Sequence, residues 1–111
     1  MKNPFIGMSV TVTVDRPIGS CHPERPDIGY PINCGYIRGI IAYDGSHQGV
    51  YILGVDEPVR SFRGKVIAII RRAGDEGSKW VVCPEEMSFT REEIIRQTEF
   101  RERFFNSEII M

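Results

Sequence analysis

Strict alternation of apolar and polar residues marks the first predicted strand. Within residues 8–14, Val10, Val12 and Val14 fall on one face and hydroxyl side chains on the other, which is typical of a half-buried β-strand. Further short strands are predicted at residues 36–43, 50–55, 65–71 and 79–83, and residues 15–29 favour a long loop. The continuous apolar run 66–70 predicts burial on both faces of its strand. Five short strands with glycine-rich turns favour a small barrel, because closure removes exposed sheet edges.

One helix is predicted after the last strand. Thr90 and Glu93 have the spacing of a capping box, in which each side chain satisfies a free amide of the first turn. One stripe of this helix is formed by Ile94, Thr98, Arg101 and Phe105. We expect the helix to pack on the barrel and to end at Asn106. The apolar tail at residues 109–111 would then dock either on the body of the domain or on a partner.

Composition limits the classes of function. A length of 111 residues predicts a single domain spanning residues 1–111. Its 14 basic and 15 acidic residues give a net charge of −1, which argues against broad, nonspecific binding to nucleic acid. No stretch approaches the ~18 apolar residues of a membrane-spanning helix. Three irregularly spaced cysteines favour reduced thiols and a cytoplasmic location.

The most informative stretch is residues 30–53, Tyr-Pro-Ile-Asn-Cys-Gly-Tyr-Ile followed by an Asp44-Gly45 turn and an apolar strand. Pro58-Val59, the apolar run 66–70, Lys79-Trp80-Val81-Val82-Cys83-Pro84 and Phe100-Arg101-Glu102-Arg103-Phe104-Phe105 follow in order. From about residue 30 to 105 this order resembles the soluble inorganic pyrophosphatases. The resemblance implies a mainly β protein with one C-terminal helix (α+β), built on a small five-stranded closed barrel of the oligonucleotide-binding type.

The resemblance also implies a chemistry, the metal-dependent hydrolysis of diphosphate to phosphate. Clustered carboxylates hold Mg²⁺ ions that activate water, and basic and tyrosine side chains hold the phosphate oxygens. The implied metal ligands are Asp15, Asp44, Asp75 and Glu76. The implied phosphate-binding residues are Arg16, Tyr36 and Lys79, and the implied catalytic residues are Asp44 and Lys79.

Some of these assignments have alternatives. The segment from Asp15 to Ser20 matches either of two family segments. One match makes Arg16 a phosphate ligand, and the other, which we favour because the following Pro-x-Gly-Ser fits it, makes Asp15 a metal ligand. Asp44-Gly45 is also typical of a plain hairpin turn, and residues 75–78 of a solvated one.

Several positions depart from the family's pattern. Ser46, Gly49 and Gly77 stand where the family has carboxylates, as does Arg72 in ungapped register, and Phe104-Phe105 replace a Tyr-Lys pair. We therefore expect diphosphate hydrolysis to be weak or lost. The alternative is a non-catalytic barrel that binds nucleic acid or protein. Its basic groove would draw on Arg60, Arg63, Lys65, Arg71 and Arg72. The aromatic pair and the apolar tail suggest a homo-oligomer.

Overall fold

A computed structural model describes residues 3–42, 45–74 and 77–111 of the chain. Its elements are β1 (Ser9–Arg16), β2 (Asn33–Ile41), β3 (His47–Ile52), β4 (Ser61–Arg72), β5 (Ser78–Cys83), α1 (Arg91–Glu102) and β6 (Ser107–Ile110). The predicted strands are all present, with shifted ends. Asp15 and Arg16, which we expected to begin a loop, instead complete β1, because this strand stays paired with β2 as far as Arg16.

Five strands close into a barrel in the order β1-β2-β3-β5-β4, and β4 pairs back to β1. The β3–β5 pair is parallel, and the other pairs of the barrel are antiparallel. The predicted closed five-stranded barrel is therefore confirmed. Closure depends on β4, which is 12 residues long and pairs with β1 through its first half. The second half of β4 pairs with β6, a strand the sequence did not predict.

The apolar side chains form two clusters on opposite faces of the strands. Along β3, Val50 and Ile52 belong to one cluster, and Tyr51, with Leu53 just beyond the strand, belongs to the other. The second cluster includes Ile94 of α1, so the helix covers the outer face of the barrel and the first cluster fills its interior. The residues 66–70 of β4 contribute to both clusters, as their continuous apolar run predicts.

The helix begins as predicted and ends early. The Thr90 hydroxyl accepts a hydrogen bond from the Glu93 amide at 3.2 Å, and the Glu93 carboxylate accepts one from the Thr90 amide at 2.9 Å. The predicted end at Asn106 is wrong, since α1 ends at Glu102. The chain turns there and places the apolar tail against β4 as β6. Within the described parts of the chain, no helix is long and apolar enough to cross a membrane.

Candidate anion-binding cleft

An open cleft of about 380 Å³ lies where β1, β2, β3 and β5 adjoin the C-terminal part of α1. Four residues that the sequence singled out line it, namely Asp15, Arg16, Tyr36 and Lys79. They come from three strands that are far apart in the sequence, so barrel closure brings them together. Asp15 and Arg16 both line the cleft, so the geometry is compatible with either alignment of their segment. The other predicted ligands, Asp44, Asp75 and Glu76, lie outside the described residues.

Lys79 occupies its place because position 49 has no side chain. The parallel register of β3 and β5 sets Val50 opposite Trp80, so Gly49 lies beside Lys79. A Cβ atom at Gly49 would lie 2.9 Å from Cδ of Lys79 and closer still to Nζ. Gly49, which the sequence presented only as a lost carboxylate, therefore makes room for an ammonium group.

The Lys79 ammonium is only partly solvated, and within the described residues it has no counter-ion. Among residues 3–42, 45–74 and 77–111, none forms a hydrogen bond or ion pair with it. Burial lowers the pKa of Lys79, and the positive charges of Arg72 and Arg101 lower it further. A lysine that is partly desolvated, unpaired and beside other cations is a strong attractor for an anion that enters the cleft.

Arg101 of α1 adds a third cationic side chain to the cleft, beside Arg16 and Lys79. The sequence resemblance assigns it no role. Its position could have indicated a role, because it lies on the same helix stripe as Ile94 and Thr98, which are both buried. A charged residue on a stripe that faces the barrel is unusual unless it is paired or functional.

Aromatic rings and a buried cysteine line other parts of the cleft. The Tyr36 ring stacks on the His47 imidazole with centroids 5.1 Å apart and an interplanar angle of 12°. Cys34 is buried, and burial raises the pKa of its thiol to about 12, so it is not a nucleophile at neutral pH. Asn33 is a structural residue, since its side chain bonds the Ile18 amide at 3.1 Å and the Glu57 carbonyl at 2.9 Å.

A closed polar network lies next to the cleft, and Tyr51 belongs to both. The Arg72 guanidinium is buried and donates to Glu102 from Nε at 3.1 Å, while the hydroxyl of Ser107 donates to the same carboxylate at 2.7 Å. Tyr51 donates to its other oxygen. Burial acts to raise the pKa of Glu102, but the hydrogen bonds from Arg72, Tyr51 and Ser107 outweigh burial and leave it lowered.

Phe105 completes this network. Its ring lies over the Arg72 guanidinium, 3.8 Å from ring centroid to Cζ. Phe104 differs, because 44% of it is exposed. The tail of the chain docks on its own barrel through β6, so among the described residues exposed groups such as Phe104 and Met111 remain available for the predicted homo-oligomer.

The basic residues that could have formed a nucleic-acid groove are partly engaged elsewhere. Arg71 forms an ion pair with Glu108 of β6, and Arg72 is buried with Glu102. Arg63 donates to the Thr11 hydroxyl at 3.2 Å. Because of these contacts, fewer of the five basic residues are available to bind nucleic acid than the sequence suggested.

The described residues of the cleft do not fit Mg²⁺. Among them, Asp15 is the one carboxylate, and three cationic side chains line the same cleft. No group of three described His, Cys, Asp or Glu residues could hold a metal ion. A divalent ion about 4 Å from a single ammonium would be repelled by roughly 8 kcal/mol at an effective dielectric constant of about 20. This part of the cleft suits anions.

Comparison with solved structures identifies the architecture. An inorganic pyrophosphatase from Ehrlichia chaffeensis superposes with a TM-score of 0.69 at 17% sequence identity, over 96% of this chain and 86% of the other. One from Neisseria gonorrhoeae gives 0.66 at 18% identity, over 85% of this chain and 72% of the other. One from Helicobacter pylori gives 0.65 at 13% identity, over 94% and 79%.

The chain has the inorganic pyrophosphatase fold. No protein-family model and no curated protein matches its sequence. At these levels of identity the likeness shows the fold alone, so the chemistry has to be argued from the residues of the cleft.

Proposed function

We propose that this protein is a divergent inorganic pyrophosphatase that binds diphosphate or another small phosphate anion in the cleft and hydrolyses diphosphate weakly or not at all. The observation that carries the proposal is the convergence of Arg16, Lys79 and Arg101 around one open cleft that has a single described carboxylate. Guanidinium and ammonium groups in a partly desolvated cleft form charge-assisted hydrogen bonds with phosphate oxygens.

Support for binding comes from the fold and the cleft together. The structural neighbours are inorganic pyrophosphatases, and the cleft of this chain contains the lysine, arginine and tyrosine that the sequence resemblance associates with phosphate. Arg16, Lys79 and Tyr36 would hold phosphate oxygens, and Arg101 would add a fourth polar contact. Each of these side chains binds and orients the anion.

Support for weak hydrolysis comes from the lost carboxylates. Position 49 has no side chain, and the space beside it is filled by Lys79. Hydrolysis requires stabilisation of the charge that develops in the transition state, and each missing group can cost ~10²-fold in rate. Asp44, with Asp75 or Glu76, remains the predicted source of whatever metal binding and residual turnover exist.

The test measures phosphate release from diphosphate in the presence of Mg²⁺ or Mn²⁺, together with calorimetric titration of diphosphate into the protein. We expect measurable binding and little or no release. Robust turnover that is abolished by Asp44→Ala and retained by Asp56→Ala, a change in an exposed loop outside the cleft, would overturn the claim of weak hydrolysis. Absence of diphosphate binding would overturn the claim of binding.

A further inference from the structure

The position of Lys79 has a consequence for the form of the ligand. Its ammonium occupies the space where a side chain at position 49 would project, and Arg16 and Arg101 line the same cleft. Three cationic side chains therefore line a cleft in which Asp15 is the one described carboxylate. These side chains can neutralise the charge of an anion that binds in the cleft.

Among the described residues of the cleft, Asp15 is the one carboxylate that these three cations share, and no ion pair joins it to them. Arg72, the nearest other cation on the neighbouring strand, has its own carboxylate in Glu102, which also accepts hydrogen bonds from Tyr51 and Ser107. That carboxylate is buried and engaged by these groups, and its charge favours the Lys79 ammonium less than burial and the arginines disfavour it, so the pKa of Lys79 remains lowered. The positive charge of the cleft is therefore available to attract an anion from solution.

We propose that the cleft binds the free phosphate or diphosphate anion and not its magnesium complex, with Lys79, Arg16 and Arg101 supplying the charge that divalent ions would otherwise supply. This inference rests on the proposed function and specifies its ligand. Because magnesium neutralises part of the charge of diphosphate and adds a cation that Lys79, Arg16 and Arg101 repel, Mg²⁺ should weaken apparent binding.

Calorimetric titration of diphosphate, once in EDTA and once with excess Mg²⁺, separates the outcomes. We expect binding in EDTA and an apparent affinity several-fold lower with Mg²⁺, at matched ionic strength. Binding that requires Mg²⁺ would overturn this inference and leave the proposed function intact. No binding in either condition would overturn the proposed function, and this inference with it.

Variants locate the binding. Lys79→Met removes the charge and keeps the length of the side chain, and we expect a loss of roughly 10- to 100-fold in affinity for diphosphate in EDTA. Lys65→Met is the matched control, since Lys65 lies on β4 opposite Ser9 and Cys83, away from the cleft. Equal losses in the two variants, or no loss in Lys79→Met, would overturn the proposal.

A second variant tests the same geometry without removing a charge. Gly49→Ala adds a methyl group that meets the Lys79 side chain and must displace its ammonium. We expect the affinity in EDTA to fall to a value between those of the unmodified protein and Lys79→Met, with an unchanged circular dichroism spectrum. An affinity equal to that of the unmodified protein would show that the position of the ammonium is irrelevant and would contradict the proposal.

Discussion

Two cations on neighbouring strands of this barrel have opposite surroundings. Arg72, at the end of β4, is buried against Glu102, with Tyr51 and Ser107 bonded to the same carboxylate and Phe105 stacked on its guanidinium. Lys79, near the start of β5, is unpaired among the described residues and opens onto the cleft. Arg72 therefore has a structural role, whereas Lys79 is available to bind a ligand.

The difference shows how a charge can be assigned a role from its surroundings. A buried pair that satisfies all its hydrogen bonds fixes the geometry of the elements it joins, here β4, α1 and β6. A desolvated cation without a partner lowers stability, and such groups persist where binding or catalysis uses them. The same comparison separates Glu102, a structural acid, from Asp15, an exposed acid in the cleft.

The largest expected effect follows from breaking the closed network. Glu102→Gln leaves the Arg72 guanidinium buried without a counter-ion, and we expect the free energy of unfolding to fall by about 3 kcal/mol. Chemical denaturation with urea measures this as a lower midpoint. Because hydrogen bonds hold the pKa of Glu102 below its unfolded value, its contribution is complete above that value and is lost as the pH falls through the lowered pKa.

Two controls sharpen this prediction. Glu99→Gln, one turn earlier on α1 and exposed, should change the midpoint little. Arg72→Met combined with Glu102→Gln should be less destabilising than Glu102→Gln alone, because the stranded charge is gone. A Glu102→Gln protein as stable as Glu99→Gln would show that the network does not hold the fold together.

The next largest effect is a pH dependence of anion binding, which we expect to arise from Lys79 and not from Arg72. The protonated ammonium of Lys79 attracts an anion and the neutral amine does not. Burial first, and Arg72 and Arg101 in addition, hold its pKa below the ordinary lysine value of about 10.4. Affinity is therefore complete below the lowered pKa and falls as the pH rises through it, before an ordinary lysine would titrate.

Sulfate is the suitable probe, because its charge is constant over this range. Titrations between about pH 7 and pH 10 should show affinity beginning to fall before an ordinary lysine would titrate, and the fall should vanish in Lys79→Met. Cys34 stays neutral throughout, since burial raises the pKa of its thiol to about 12. A fall of equal size in Lys79→Met would assign the titration to another group.

Much of the fold was predictable because its signals are local. The alternation of β1, the apolar run of β4 and the capping box of α1 each lie within a few residues, and the structure confirms them. The end of α1 and the existence of β6 were missed, because both depend on pairing with β4 some 35 to 40 residues earlier in the sequence. Long-range pairing leaves only a weak signal in a single sequence.

The cleft was predictable only in part for the same reason. Arg16, Tyr36 and Lys79 were identified through resemblance, residue by residue, and the structure places them in one cleft. The link between Gly49 and Lys79 was not accessible, because it requires the parallel register of β3 and β5. In the sequence, Gly49 and Lys79 are two unrelated positions, and the structure shows that the missing side chain at Gly49 leaves space for the side chain of Lys79.

The smallest expected effect is also the most direct test of the contrast between the two cations. If Lys79 is kept for binding at some cost in stability, then Lys79→Met should raise the free energy of unfolding, by about 0.5 to 1 kcal/mol, while it removes anion affinity. The sign follows from its lowered pKa, because folding disfavours the charged form of this side chain. Thermal unfolding of the variant without added phosphate or sulfate measures the change, with Lys65→Met as the matched control. A Lys79→Met protein less stable than this control would mean that Lys79, like Arg72, supports the fold, and the contrast between a structural and a ligand-binding cation would fail.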